Sequence, residues 1–78
     1  MQVDHEGVLA ALKAAERKIA DGRVHMARQR EIIALLASVG HDTRLAEVVL
    51  ASFKQTHLAQ IAIRDQLRRE LVSHFADE

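Results

Sequence analysis

The sequence predicts an all-α fold, a long antiparallel helical hairpin that dimerises into a four-helix bundle. Three observations carry this expectation. The 78 residues contain no proline and thirteen alanines, with abundant Leu, Glu, Arg, Lys and Gln, a composition that favours helix over strand. Apolar residues in the first half recur in a seven-residue repeat. Turn and cap chemistry is concentrated in one run, Ser38, Val39, Gly40, His41, Asp42 and Thr43, which divides the chain into two helix-like halves.

Leu, Ile, Val and Phe make up 23 of the 78 residues, above the level at which disorder is the default. A chain this short forms one domain, spanning 1–78, and so small a domain hides only a modest share of its surface. No cysteine is present to staple it or to bind metal through thiolate. Basic and acidic residues balance at eleven each, with six positive and five negative over 1–37 and five and six over 38–78. Affinity for a polyanion needs concentrated Lys and Arg, so this distribution argues against nucleic acid as the main partner. Neutrality also leaves self-association unopposed by charge. No run approaches the roughly 18 apolar residues of a membrane span. Asp4, His5 and Glu6 stand where a secretory signal would show a basic start and an apolar core. No membrane association and a cytoplasmic location are therefore expected.

The first helix is expected over about 5–38, with Asp4 as its N-cap. Leu12, Ile19, Met26 and Ile33 recur at intervals of seven, and Val8, Ala15, Gly22, Gln29 and Leu36 fill the companion positions, giving one continuous a/d seam. At 1.5 Å per residue such a helix is roughly 50 Å long. Gly22 costs about 1 kcal/mol in a helix interior, and Asp21 with Gly22 offers the alternative of a break that would give three helices. The unbroken phase through Gly22 favours continuity. Its missing side chain permits a close backbone approach or leaves room for a large side chain from a facing helix.

Residues 39–43 form the reversal. Gly40 can take the left-handed conformation that closes a helix, and Asp42 or Thr43 can accept hydrogen bonds from the free N–H groups that open the next. The second helix is expected over about 44–75, with an inward row of Leu45, Val49, Phe53, Thr56 or His57, Gln60, Ile63, Leu67, Leu71 and Phe75. Asp65 and Arg69 are placed for an i,i+4 attraction on its solvated side. Reversal about Gly40 and His41 sets Leu36 against Leu45, Ile33 against Val49, Gln29 against Phe53, Met26 against Thr56 and Gly22 against Gln60.

One hairpin buries a single stripe of each helix. Leu9, Ile32, Leu35, Val48, Leu50, Leu58, Ile61 and Val72 fall outside that stripe, more apolar surface than a monomeric hairpin comfortably exposes. A two-fold dimer covers it with an identical surface, so a homodimer is the expected partner state.

The polar residues of the seam, Gln29, Thr56 and Gln60, read as groups that fix register, because a buried amide must find partners. His25 and His57 come near each other across the seam, with Asp21 one turn before His25, and a metal or small ligand there is one alternative. No His-x-x-x-His or Glu-x-x-His pair anchors such a site on one helix, so no cofactor is expected. The inward rows hold no acidic dyad for glycosidic chemistry and no inward glutamates for a di-iron site. Ser38 and Ser52 lack a positioned base and acid, so the chain is expected to be non-enzymatic. Lys13, Arg17, Lys18, Arg23, Arg28 and Arg30 form the most basic region. A nucleic-acid-associated regulatory role through the stretch from Arg23 to Arg30 is the other alternative, although Asp21 and Glu31 interrupt its field.

The run Ala27, Arg28, Gln29, Arg30, Glu31, Ile32 and Ile33, followed by Leu36, by Gly40, His41, Asp42 and Thr43, and then by Ala46, Leu50, Phe53, His57, Arg64, Asp65, Gln66 and Leu67, resembles a group of short helical proteins of soil and plant-associated proteobacteria. The ARQR and GHDT patterns are its best markers, and the similarity spans about residues 19–71. The resemblance implies a small stand-alone cytosolic protein and carries no activity, cofactor or partner with it. A non-enzymatic protein-interaction or assembly module is the expected role.

Overall fold

The computed structural model describes residues 5–76, with side chains described through Ser73. Asp4, expected as an N-cap, and the side chain of Phe75 lie outside the described residues. Two helices account for the fold: α1 over His5–Ser38, 34 residues, and α2 over Arg44–Ala76, 33 residues. They pack antiparallel into a rod of 61 × 18 × 15 Å. α1 passes through Gly22 without a break. Among the described residues, no helix is long and apolar enough to cross a membrane.

The connection is built from local hydrogen bonds. The His41 N–H donates to the Leu36 carbonyl at 2.9 Å and the Gly40 N–H to the Ala37 carbonyl at 3.1 Å, the paired bonds of a Schellman end. That geometry needs a left-handed residue, and Gly40 supplies it with φ of 76°. On the far side, Asp42 Oδ1 accepts from the Arg44 N–H at 2.9 Å, satisfying one of the donors left free where α2 starts. The Thr43 carbonyl accepts the first helical bond from Glu47 at 2.9 Å, and its hydroxyl lies 3.4 Å from the Glu47 carboxylate. Asp42 is therefore the side-chain acceptor, while Thr43 occupies the flanking backbone position.

In α1 the seven-residue repeat sets the seam. Val8, Leu12, Ala15, Ile19, Met26 and Gln29 are buried, and Ile33 and Leu36 are half-buried. α2 departs from expectation. Its inward row is Ala46, Leu50, Phe53, His57, Gln60, Arg64, Leu67 and Leu71, with steps of four and three throughout. Val49 and Ile61 are half-buried beside it. Leu45 and Ile63, both expected to face inward, are 78% and 47% exposed, and Thr56 is exposed where His57 is half-buried. Helical geometry gives the reason. Leu45 and Ile63 lie eight residues before and ten after Phe53, and at about 100° per residue both fall about 80° to the same side of it. Apolarity pointed to these residues, but phase decides what faces α1.

The register also differs. At the level of Gly22, α2 presents His57 instead of Gln60, about one helical turn from the expected alignment. His25 likewise meets Phe53, and the Gln29 amide reaches Ala46 rather than Phe53. Asp65 pairs with the adjacent Arg64 at 3.0 Å, and Arg69 donates to Gln66 at 2.8 Å, so the expected attraction between Asp65 and Arg69 is replaced by two nearer partners.

Candidate functional site

Midway along the rod the seam opens into a recess of about 260 Å³. Gly22 is its cause. A Cβ at position 22 would lie 2.8 Å from His57 Nδ1 and 3.7 Å from its Cγ, so the imidazole occupies the volume that any other residue would fill. This is a knob in a hole whose knob is polar. His57 Nδ1 is buried and has no hydrogen-bond partner among the described residues, a cost that the close fit against Gly22 must offset.

Around this pair, His25 leans on Phe53 with ring centroids 5.8 Å apart and planes tilted by 32°. Lys18 and Asp21 stand on the α1 rim, with Thr56 and Gln60 on the α2 side. Lys18, Asp21, His25 and Thr56 are exposed, whereas Gly22, Phe53, His57 and Gln60 are half-buried. The recess thus offers one charge of each sign, a hydroxyl, an amide and two imidazoles over a partly aromatic floor. Within it, His57 Nδ1 faces Gly22 and the His25 ring is engaged with Phe53. Among the described residues, no group of three His, Asp or Glu side chains is placed to hold a metal ion.

The polar seam residues separate into different roles. Gln29, 9% exposed, donates from Nε2 to the Ala46 carbonyl at 2.8 Å and ties the last third of α1 to the first turn of α2. Gln60 is half-buried beside the recess, and Thr56 stands on its rim. Of the other seam candidates, Leu12, Ile19 and Met26 are buried, Ile33, Leu36, Val49, Phe53 and Leu67 are half-buried, and Ile63 is exposed. Ala46 was missed as the acceptor for Gln29. The available signal was its small size at an inward position seven residues before Phe53.

The turn carries the strongest local electrostatics. Arg44 grips Asp42 with Nη2 2.7 Å from Oδ2 and Nε 3.1 Å from Oδ1. This guanidinium, followed by the Arg44 backbone N–H, holds the Asp42 carboxyl below its ordinary range, and Asp42 in turn raises Arg44. Both side chains are exposed, so the pair orders the turn rather than forming a reactive group.

Arg23 and Arg30 of the basic stretch share their flank with acidic residues. Arg68 approaches Glu16 at 3.8 Å, which marks one flank of the hairpin. Arg23 and Arg30 lie seven and fourteen residues beyond Glu16 on that flank, together with Glu47 and Lys54 of α2. Compared with protein-family models, curated proteins and solved structures, the chain matches none.

Proposed function

We propose that the protein is a non-enzymatic helical assembly module that works as a homodimer, two hairpins closing into a four-helix bundle that presents its outer faces to other proteins. The supporting observation is surface in excess of what a compact chain keeps. The accessible area is 6045 Å² at 8.7 kDa, whereas a compact monomer of this mass exposes about 4,700 Å². The excess of roughly 1,300 Å² exceeds the about 800 Å² that each partner contributes to a standard interface. Much of it is apolar: Leu45, Val72, Leu35, Leu58 and Val48 are each more than 60% exposed. No large side chain is fully buried among the described residues, so the hairpin interior alone is thin.

Nucleic acid is a weaker reading, because Glu16 and Glu47 interrupt the flank that carries Arg23 and Arg30. The homodimer is tested by urea unfolding over a hundredfold range of protein concentration. Coupled folding and association raises the midpoint with concentration, and a midpoint that does not move would overturn the proposal.

A further inference from the structure

Resting on the homodimer reading, we infer that the second copy seats on the flank where the Gly22 and His57 recess opens, with its turn at the same end, so that each copy covers the other's recess. The recess fixes which residues share that flank, since Lys18, Asp21 and His25 of α1 open on the same side as Thr56 of α2. Residues seven apart on packed helices keep the same direction. Ile32 is seven beyond His25, Leu35 is fourteen beyond Asp21, and Val49 and Ile63 lie seven to either side of Thr56. Leu45, eleven residues before Thr56, falls within about 20° of it.

Exposed Leu58 and Val72 lie on the opposite flank, in phase with Lys54, but near the turn this flank is the apolar one. Toward the turn it carries Ile32, Leu35 and Leu45, at 47%, 66% and 78% exposure, with half-buried Val49 beside them. Its charged residues, Lys18, Asp21, Arg28 and Glu70, are two of each sign. The opposite flank bears Glu16, Arg23, Arg30, Glu47, Lys54 and Arg68 in its nearest positions, and interface centres are depleted of such charge.

The uneven distribution along the rod sets the orientation. With both turns at one end, Ile32 and Leu35 stand opposite Val49 and Leu45 of the second copy, and His25 stands opposite Thr56 of the second copy. With the turns at opposite ends, Leu35 would meet Ala14 and Ile32 would meet Lys18. That arrangement gains reciprocal pairs between Asp21 and Arg28 and sets Leu45 opposite Ile63 of the second copy, but it leaves Ile32 and Leu35 of both copies without an apolar partner, and exposed ion pairs add little compared with buried Leu and Ile side chains. The same-end arrangement therefore wins.

The chain contains no cysteine, so His41→Cys gives one label site in the exposed turn. A nitroxide there, measured by pulsed electron-electron resonance on a sample whose mass is determined in parallel, should give a dimer mass and a label separation below about 30 Å, since packed helix layers stand about 10 Å apart. A dimer mass with a separation near the 61 Å length of the rod would overturn the same-end arrangement and leave the dimer standing. A monomer mass would overturn both. Leu45→Glu, at a side chain already outside the seam, should reduce the mass to that of a monomer with helicity retained, while Leu58→Glu on the charged flank should not. The reverse sensitivity would place the second copy on the other flank and overturn the inference.

Discussion

The imidazole of His57 sits where a side chain at position 22 would be, with Nδ1 2.8 Å from the place a Cβ on Gly22 would take. Gly22 therefore answers to two opposing effects. Replacing a helix-interior glycine by alanine gains about 1 kcal/mol, and crowding a filled site costs about 1–3 kcal/mol. Gly22→Ala should lower stability by up to about 2 kcal/mol in chemical unfolding. With His57→Ala already in place, the same change should raise stability by up to about 1 kcal/mol. An equal effect of Gly22→Ala in both backgrounds would show that the two residues are not coupled.

Gln29 reaches across the seam to the Ala46 carbonyl at 2.8 Å. Gln29→Met keeps the volume and removes the donor, so it should cost about 0.5–1.5 kcal/mol, the net value of a hydrogen bond. Equal urea midpoints and slopes for the two proteins would mean that the bond contributes nothing to the hairpin.

Gly40 has open space around it, with no atom within 4 Å of an added Cβ, yet its φ is +76°. The cost of Gly40→Ala is then backbone strain alone, about 1–2 kcal/mol. Asn tolerates the left-handed region better, so Gly40→Asn should lose less. A thermal melt series in which Ala and Asn are equal to Gly would contradict a left-handed Gly40.

Asp42 links stability to pH. Its carboxyl is held below the ordinary value of 3.8 by the Arg44 guanidinium and backbone N–H. The ionised form is thus favoured in the folded state, and its contribution is complete above that ordinary value and lost as pH falls through the lowered folded value. Between pH 5 and pH 2, estimated as about the carboxylate range, the melting temperature should fall less steeply in Asp42→Asn than in the native chain. Parallel curves would remove Asp42 from the acid response.

The turn and α1 were legible in the sequence for physical reasons. Gly40 is required by one conformation and Asp42 by one set of free donors, and the α1 seam has apolar side chains at nearly every inward position. α2 was not legible in the same way. Ala46, His57, Gln60 and Arg64 occupy half of its inward row, whereas Leu45 and Ile63 sit on the flank. A reading that follows apolar residues drifts off such a helix, because burial here follows phase and the fit to a vacancy in α1. Gly22 stood out as a blank in the sequence, but choosing His57 over Gln60 as its occupant needed the register fixed by the turn.

The homodimer is tested most directly by the molar mass of the native chain by sedimentation equilibrium at micromolar concentrations. A homodimer has twice the 8.7 kDa of one chain, with mass action toward the single-chain value only on strong dilution. A particle of 8.7 kDa at every concentration, with full helicity, would contradict it.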